Sequence, residues 1–188
     1  MEKRLIRRKK LVPDPRYTIK ATEENTTVYK RPPPDHPSYA LIGQITMWWS
    51  FIEMTLDSGI GTLADTDPAI TACKTAQMMG HAPRCLTIRA LAHWRGLSEI
   101  EKETNGLQNA LFEASEFRNR AIHDLLYIET RTNSTFKAHR MSKKSLYYGL
   151  KEFDMSELKH ALNLIKKRVT DCNALLKKIS EEVYEYYS

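Results

Sequence analysis

A chain of 188 residues, 41% hydrophobic and 28% charged, can build one domain with a real core and is neither fibrous nor a low-complexity tail. Its formal net charge of +6 is unevenly placed: residues 1–31 hold ten Lys/Arg against four acids, and the other 157 carry nineteen of each sign. Cys73, Cys85 and Cys172 frame no zinc spacing, and no run of about 18 apolar residues is present, so neither a metal or cofactor site nor a membrane span is expected. No apolar segment follows the charged N-terminus as a secretory signal would require, and the expected setting is a cytoplasm with reduced thiols.

Residues 1–36 read as a basic, proline-rich arm. Arg4, Arg7, Arg8, Lys9 and Lys10 surround Leu5 and Ile6, and Pro13, Pro15 and Pro32–Pro34 forbid a continuous helix. The segment 16–30 alternates weakly and suits an extended strand over the body. Two readings fit the arm: a phosphate-contacting extension, or a solvated or dimer-wrapping leader.

The first core helix is predicted over about residues 37–62. Ile42, Ile45, Trp49, Ile52, Leu56 and Ile60 recur at helical spacing. Trp48, Trp49 and Phe51 belong to that amphipathic pattern and read as core or dimer interface rather than a base-stacking platform. Glu53 lies at the edge of the stripe. It is either a boundary residue or a half-buried acid that wants a cation, for which Arg118 is the candidate. Asp67 is placed to cap a helix that begins at Pro68, carries Ile70, Cys73, Ala76 and Met79 inward, and stops at Gly80. Pro83 restarts a helix that runs to Gly96. The sequence leaves open whether residues 67–96 form one kinked helix or two. The i,i+4 pair His81 and Cys85 reads as structural, and His93 as an ordinary helix residue.

A long helix is predicted from Leu97 to about Leu126, with Ser98 and Glu101 at capping-box spacing. Near its end stands Arg118. On a wheel of about 100° per residue, Leu107, Leu111, Ala114, Ala121, Ile122 and Leu125 fall within roughly 60° of it. A guanidinium thus occupies the centre of an apolar stripe, where an unpartnered charge is costly. Asn119 and His123, four apart, share a neighbouring face. A broken local rule beside converging polar groups marks a candidate functional site.

Residues 127–150 change character. Tyr127, Ile128, Thr130 and Thr132 lead to Asn133-Ser134, then Thr135 and Phe136, which predicts a hairpin. Arg131, Lys137, Arg140, Lys143 and Lys144 make it basic. Either it contacts an RNA backbone, or its lysines protect a sheet edge. Asp154 with Glu157 then opens a final amphipathic helix of about thirty residues. The expected fold is all-α: a four- to five-helix up-and-down bundle over residues 37–188, with a small β-hairpin before the last helix.

The run Arg118-Asn119-Arg120-Ala121-Ile122-His123 reads R-N-x-x-x-H. Set at the end of a long helix, after an aromatic helix with an embedded acid and before a final long helix, it resembles the motif of the HEPN superfamily. These are helical domains of toxin–antitoxin, phage-defence and RNA-processing systems. The resemblance covers roughly residues 37–187. It implies a metal-independent endoribonuclease and a homodimer whose two motifs face one groove. Carried onto this chain, Arg118 binds the scissile phosphate, Asn119 orients phosphate or histidine, and His123 transfers protons. Glu53, Arg120, Asp124 and Tyr127 take supporting places. RNA is the implied substrate, and an antitoxin or regulatory protein the implied further partner. The chain departs from the pattern at Leu125, where many HEPN toxins carry a tyrosine that a partner enzyme modifies. A non-catalytic RNA- or nucleotide-binding module and a structural, partner-binding helical protein are the alternatives.

Overall fold

The computed structural model describes residues 29–141 and 147–187. It contains five helices and a small antiparallel sheet: β1 (Tyr29–Lys30), α1 (Pro37–Ala64), α2 (Pro68–Thr75), α3 (His81–Trp94), α4 (Ser98–His123), β2 (Leu126–Glu129), β3 (Thr135–Met141), β4 (Tyr147–Glu152) and α5 (Met155–Tyr187). Two compact units result: Pro37–Ile122 with Met155–Ser188, and His123–Asp154 with the segment ending at His36.

The helical unit is assembled around α1 and α5. In α1, Ile45, Trp49, Ile52, Leu56, Ile60 and Leu63 are buried at spacings of three and four. In α5, Leu158, Ala161, Leu162, Ile165, Val169, Cys172, Leu175, Ile179 and Val183 do the same. Burying each large aliphatic side chain of this set stabilises the fold by about 1.5–3 kcal/mol. The two helices run in the same direction. Lys166 Nζ stands 5.6 Å over the Trp48 ring, Thr55 donates to Asn173 at 3.3 Å, and Gly59 faces Ile179. A Cβ at Gly59 would lie 3.3 Å from Ile179 Cδ1 and 3.5 Å from Ile88 Cδ1, so a small residue sets the close approach of three helices.

α3 also runs parallel to α1, with Trp49 against His81 at one end and Arg95 donating to the Leu63 carbonyl at 2.6 Å at the other. The short α2 makes the return between them. α4 lies antiparallel to α5: Phe117 meets the His160 ring edge-on at 5.4 Å, and Lys178 pairs with Glu103 further along. The order is therefore up, down, up, down, up, as an up-and-down bundle requires.

The structure decides one point the sequence left open and departs from the sequence reading at the ends of α2 and α4 and at the inward face of α2. Residues 67–96 form two helices: α2 ends at Thr75 with Ala76 as its cap, before the expected stop at Gly80, and Gly80, at φ +76°, is instead the N-cap of α3. Asp67 caps α2 as expected, accepting from Ala69 N at 2.8 Å and Ile70 N at 3.4 Å. The inward face of α2 is nonetheless Thr71 and Thr75, and Ile70 and Met79 are exposed. Threonine hydroxyls that bond back to their own helix can be buried without penalty, so hydropathy alone chose the wrong face. Finally, α4 stops at His123 rather than Leu126, which leaves Leu125 outside the helix and exposed. Ser98 is the first residue of α4, not its cap.

In the second unit the predicted hairpin is present. Asn133 takes φ +56°, and Glu129 N donates to Ser134 O at 3.0 Å, closing the turn between β2 and β3. The sheet is larger than a hairpin. β4 pairs with β3 from Phe136↔Glu152 to Met141↔Tyr147, and β1 pairs with β2 through Tyr29↔Glu129 and Lys30↔Ile128, giving the order β1-β2-β3-β4. Ile128, Ala138 and Phe153 are its buried hydrophobic side chains; the register puts Ile128 on the face of Thr135 and Lys137, and Ala138 on the opposite one. Among the described residues, no helix is long and apolar enough to cross a membrane.

Candidate functional site

The last two turns of α4 carry the motif. Leu107, Leu111, Ala114 and Ala121 are buried, so the wheel position of Arg118 on the apolar stripe holds in the structure. Its guanidinium is half-buried. Nε is shielded from solvent with no hydrogen-bond partner among the described residues, and Nη1 donates to Asn119 Oδ1 at 3.0 Å. This bond uses one edge of the fork and holds the asparagine carbonyl, so the Asn119 amide NH2 is turned away from the guanidinium. Asn119 and Arg120 are exposed, as is His123, the final residue of the helix. The last turns of α4 thus carry a half-buried, oriented cation and an exposed amide, and the helix ends on an exposed imidazole. Such a set can bind a phosphate through forked donors and exchange a proton beside it.

The level of this segment in the bundle follows from its neighbours. Phe117 packs on His160, near the start of α5, and α1 and α5 run together. Arg118 therefore lies at the end of the helical unit where α1 begins.

The sequence pairing of Glu53 with Arg118 is not formed. Glu53 Oε1 accepts from Trp49 Nε1 at 3.1 Å, within α1, and faces His81. Among the described residues no ion pair joins it to Arg118. The reason is axial: Arg118 lies level with the first turns of α1, and Glu53 stands several turns further along, where Trp49 and His81 are its neighbours. His81 is buried with its ring edge-on to Trp49 at 5.7 Å, and its Nε2 has no hydrogen-bond partner among the described residues. Burial holds this imidazole below the usual histidine range, opposed by the nearby Glu53 carboxylate.

Glu53 lines a cleft of about 820 Å³ together with Asp57, Asp65, Asp67 and Arg84. Arg84 is only 6% exposed and fully engaged. Nε meets Asp57 Oδ1 at 2.7 Å and Nη2 meets Oδ2 at 3.3 Å, while Nη1 donates to the carbonyls of Met78 and Gly80 at 2.7 and 2.8 Å. Its role is to tie the loop between α2 and α3 to α1. The acid-lined cleft repels phosphate, so it is not where a polyanion would bind. The sequence reading missed Asp57 and Arg84. Their signal was present: Glu53 and Asp57 are the only charges among the 28 residues of α1.

The remaining candidates lie in the sheet unit. Lys137 and Asp124 form an ion pair at 3.4 Å with side chains only 12% and 11% exposed, and the Lys137 ammonium sits 5.5 Å from the centre of the Phe153 ring. Both are occupied in holding β3 to the residues after α4, and Lys137 is not an exposed phosphate contact. Tyr127 is half-buried on β2 opposite Phe136. Arg131 is exposed beside the turn, and Arg140 lies on β3 opposite Tyr148. Lys143 and Lys144 lie outside the described residues. Among the described residues no group of three or more His, Cys, Asp or Glu is arranged to hold a metal ion.

No family model matches this chain, and no curated protein and no solved structure matches it either.

Proposed function

We propose that this chain is a metal-independent endoribonuclease of HEPN type that cleaves RNA by attack of a 2′-hydroxyl on the adjacent phosphate. The observation that carries this reading is the pairing of a half-buried Arg118, anchored to Asn119, with an exposed His123 at the end of the same helix. In the reaction a base removes the 2′-OH proton, the 2′-oxygen bonds to phosphorus, and the 5′-oxygen leaves and takes up a proton. The products are a 2′,3′-cyclic phosphate and a 5′-hydroxyl. Arg118 offsets the charge that grows on the phosphate oxygens, and Asn119 fixes the approach of the guanidinium. Imidazole serves both proton steps. One chain supplies one such ring, so a second copy provides the other. Participation in toxin–antitoxin or phage-defence systems follows the same resemblance.

The experiment is incubation of purified protein with labelled RNA in EDTA, beside Arg118→Ala and His123→Ala variants that keep wild-type circular dichroism. Cleavage by the wild type and its loss in both variants supports the reading. Cleavage that neither substitution alters removes this segment from the mechanism. Salt-dependent RNA binding without cleavage identifies a non-catalytic module instead.

A further inference from the structure

α5 is divided along its length by charge. From Leu158 to Thr170 it carries Lys159, His160, Lys166, Lys167 and Arg168 and no carboxylate, and acids return only from Asp171 onward. The two halves also differ in pairing. In the second, Lys177 meets Glu181 at 3.6 Å and Lys178 meets Glu103, while Arg168 meets Asp171 at 2.6 Å across the border. In the first, Lys159, Lys166 and Lys167 are all exposed, and none has an ion pair among the described residues. At about 100° per residue, these lysines together with His160 and Asn163 span an arc of about 120° that faces solvent. Like charges gathered on one helix face repel, and a helix that is merely solvated disperses acids among them, as the second half of α5 does.

Two aromatic rings stand along the α1 side of this face. Trp48, Trp49 and Phe51, alike in sequence spacing, are separated by the fold: Trp49 is buried, Trp48 is part-buried and Phe51 is 39% exposed. Trp48 and Phe51 lie 5.5 Å apart with their planes at 52°, and the Lys166 ammonium is 5.6 Å from the centre of the Trp48 ring. An exposed ring beside a row of cations offers a base a stacking surface and its phosphates a charge partner.

We infer that this face of α5, with Phe51 and Trp48 at its edge, is the track on which the protein holds a single, unpaired nucleic acid strand. Unpaired lysines complement a phosphate backbone, Asn163 and His160 add hydrogen-bonding groups between them, and an aromatic ring stacks only on a base that is out of a duplex. A bilayer fits less well, because none of the exposed side chains between Lys159 and Lys167 is apolar. The hairpin fits less well too, with Lys137 buried in its ion pair with Asp124. That the strand is RNA rests on the nuclease reading; the track itself does not. The His160 ring meets Phe117, the residue before Arg118, at 5.4 Å, so a strand along this face ends at the level of the motif-bearing turns of α4.

The test is fluorescence anisotropy of the full chain with a labelled oligouridylate of about 12 nucleotides whose 2′-oxygens are methylated, so that it binds without being cut. The expected result is salt-dependent binding in the micromolar range, at least about tenfold tighter than to the same strand annealed to its complement. Lys159→Gln combined with Lys167→Gln weakens binding and lowers the slope of log K against log salt by about 0.7 for each lysine. Phe51→Ala weakens single-strand binding at least about fivefold and leaves the salt slope in place. Each variant is checked by circular dichroism, and where Phe51→Ala is not folded, Phe51→Leu keeps the apolar bulk and removes the aromatic plane. Absence of binding at low salt overturns the proposal, as does a duplex held as tightly as the strand. Wild-type affinity in the lysine variant also overturns it, and a loss in Arg131→Gln then places the strand on the hairpin. Binding to phosphatidylserine vesicles and to no strand assigns the face to a membrane instead. Binding as expected, with unmethylated RNA left intact, keeps the track and sinks the nuclease reading. Cleavage untouched by the lysine and Phe51 substitutions keeps the nuclease reading and sinks the track.

Discussion

Arg118 is hydrogen-bonded at 3.0 Å to its own sequence neighbour, Asn119, rather than to an acid across the bundle. The guanidinium therefore keeps its charge uncancelled while its orientation is restrained. An acid in that position would neutralise it, and a free side chain would lose rotamer entropy on binding an anion.

Replacing Asn119 with Ala removes the restraint and leaves the charge. Cleavage should fall by about tenfold or somewhat more, the size of one hydrogen bond to a charged group of about 1.5 kcal/mol, while the melting temperature stays within about a degree because Asn119 is exposed. Single-turnover rates and thermal melts of the same preparation decide it. Arg118→Lys should cost more than Asn119→Ala, since an ammonium cannot offer two parallel donors.

Arg84 is the opposite case, a cation whose job is finished by its surroundings. Arg84→Ala leaves the Asp57 carboxylate and two loop carbonyls without their donor in a largely buried place. The expected loss is about 3–5 kcal/mol, or about 10 °C in Tm, with RNA cleavage by the protein that remains folded unchanged. Calorimetry measures the first and a folded-fraction-corrected assay the second. A shift below about 2 °C would mean that the loop between α2 and α3 is held by something else.

His81 links the helical core to pH. Its folded value lies below the ordinary histidine value because burial disfavours the charged ring, with Glu53 opposing. The unfolded chain therefore takes up this proton first as pH falls, and stability is lost progressively below about 6.5 toward the folded value. The melting temperature should drop between pH 7.5 and 5. His81→Gln should flatten that drop, measured against wild type in the same buffers. A parallel decline in both proteins assigns the pH effect to other groups.

The three thiols should react in two classes. Burial pushes Cys85 up to about 11 and Cys172 up to about 12, whereas Cys73 is exposed on α2. An aromatic disulfide reagent at pH 8 should label one thiol per chain in the folded protein and three after denaturation. Rapid labelling of more than one would show that α3 and α5 open readily.

Leu111 tests the stripe that carries the motif. It is fully buried on α4, and Leu111→Ala should cost about 2–5 kcal/mol through the cavity it leaves. If α4 also positions the motif, cleavage should weaken with stability. Phe112→Ala, on the exposed side of the same turn, should change neither.

The sequence by itself determined the helical class, the long final helix, the Asp67 cap, the turn at Asn133 and the position of Arg118 on an apolar stripe. Each is a local or periodic property, fixed by spacing along one element. Tertiary structure alone decided the pairings. Glu53 faces His81 rather than Arg118 because the level at which α4 packs in the bundle sets Arg118 several turns away along the axis. Lys137 became a buried partner of Asp124 because strand register, not charge pattern, chose its neighbour. β1, distant in sequence, and β4, which follows β3 closely, enlarged a predicted hairpin to four strands because each open strand edge takes a partner. The lysines of α5 were written in the chain throughout. Packing alone decided which of them are paired, because it set Glu103 beside Lys178 and laid Trp48 against Lys166.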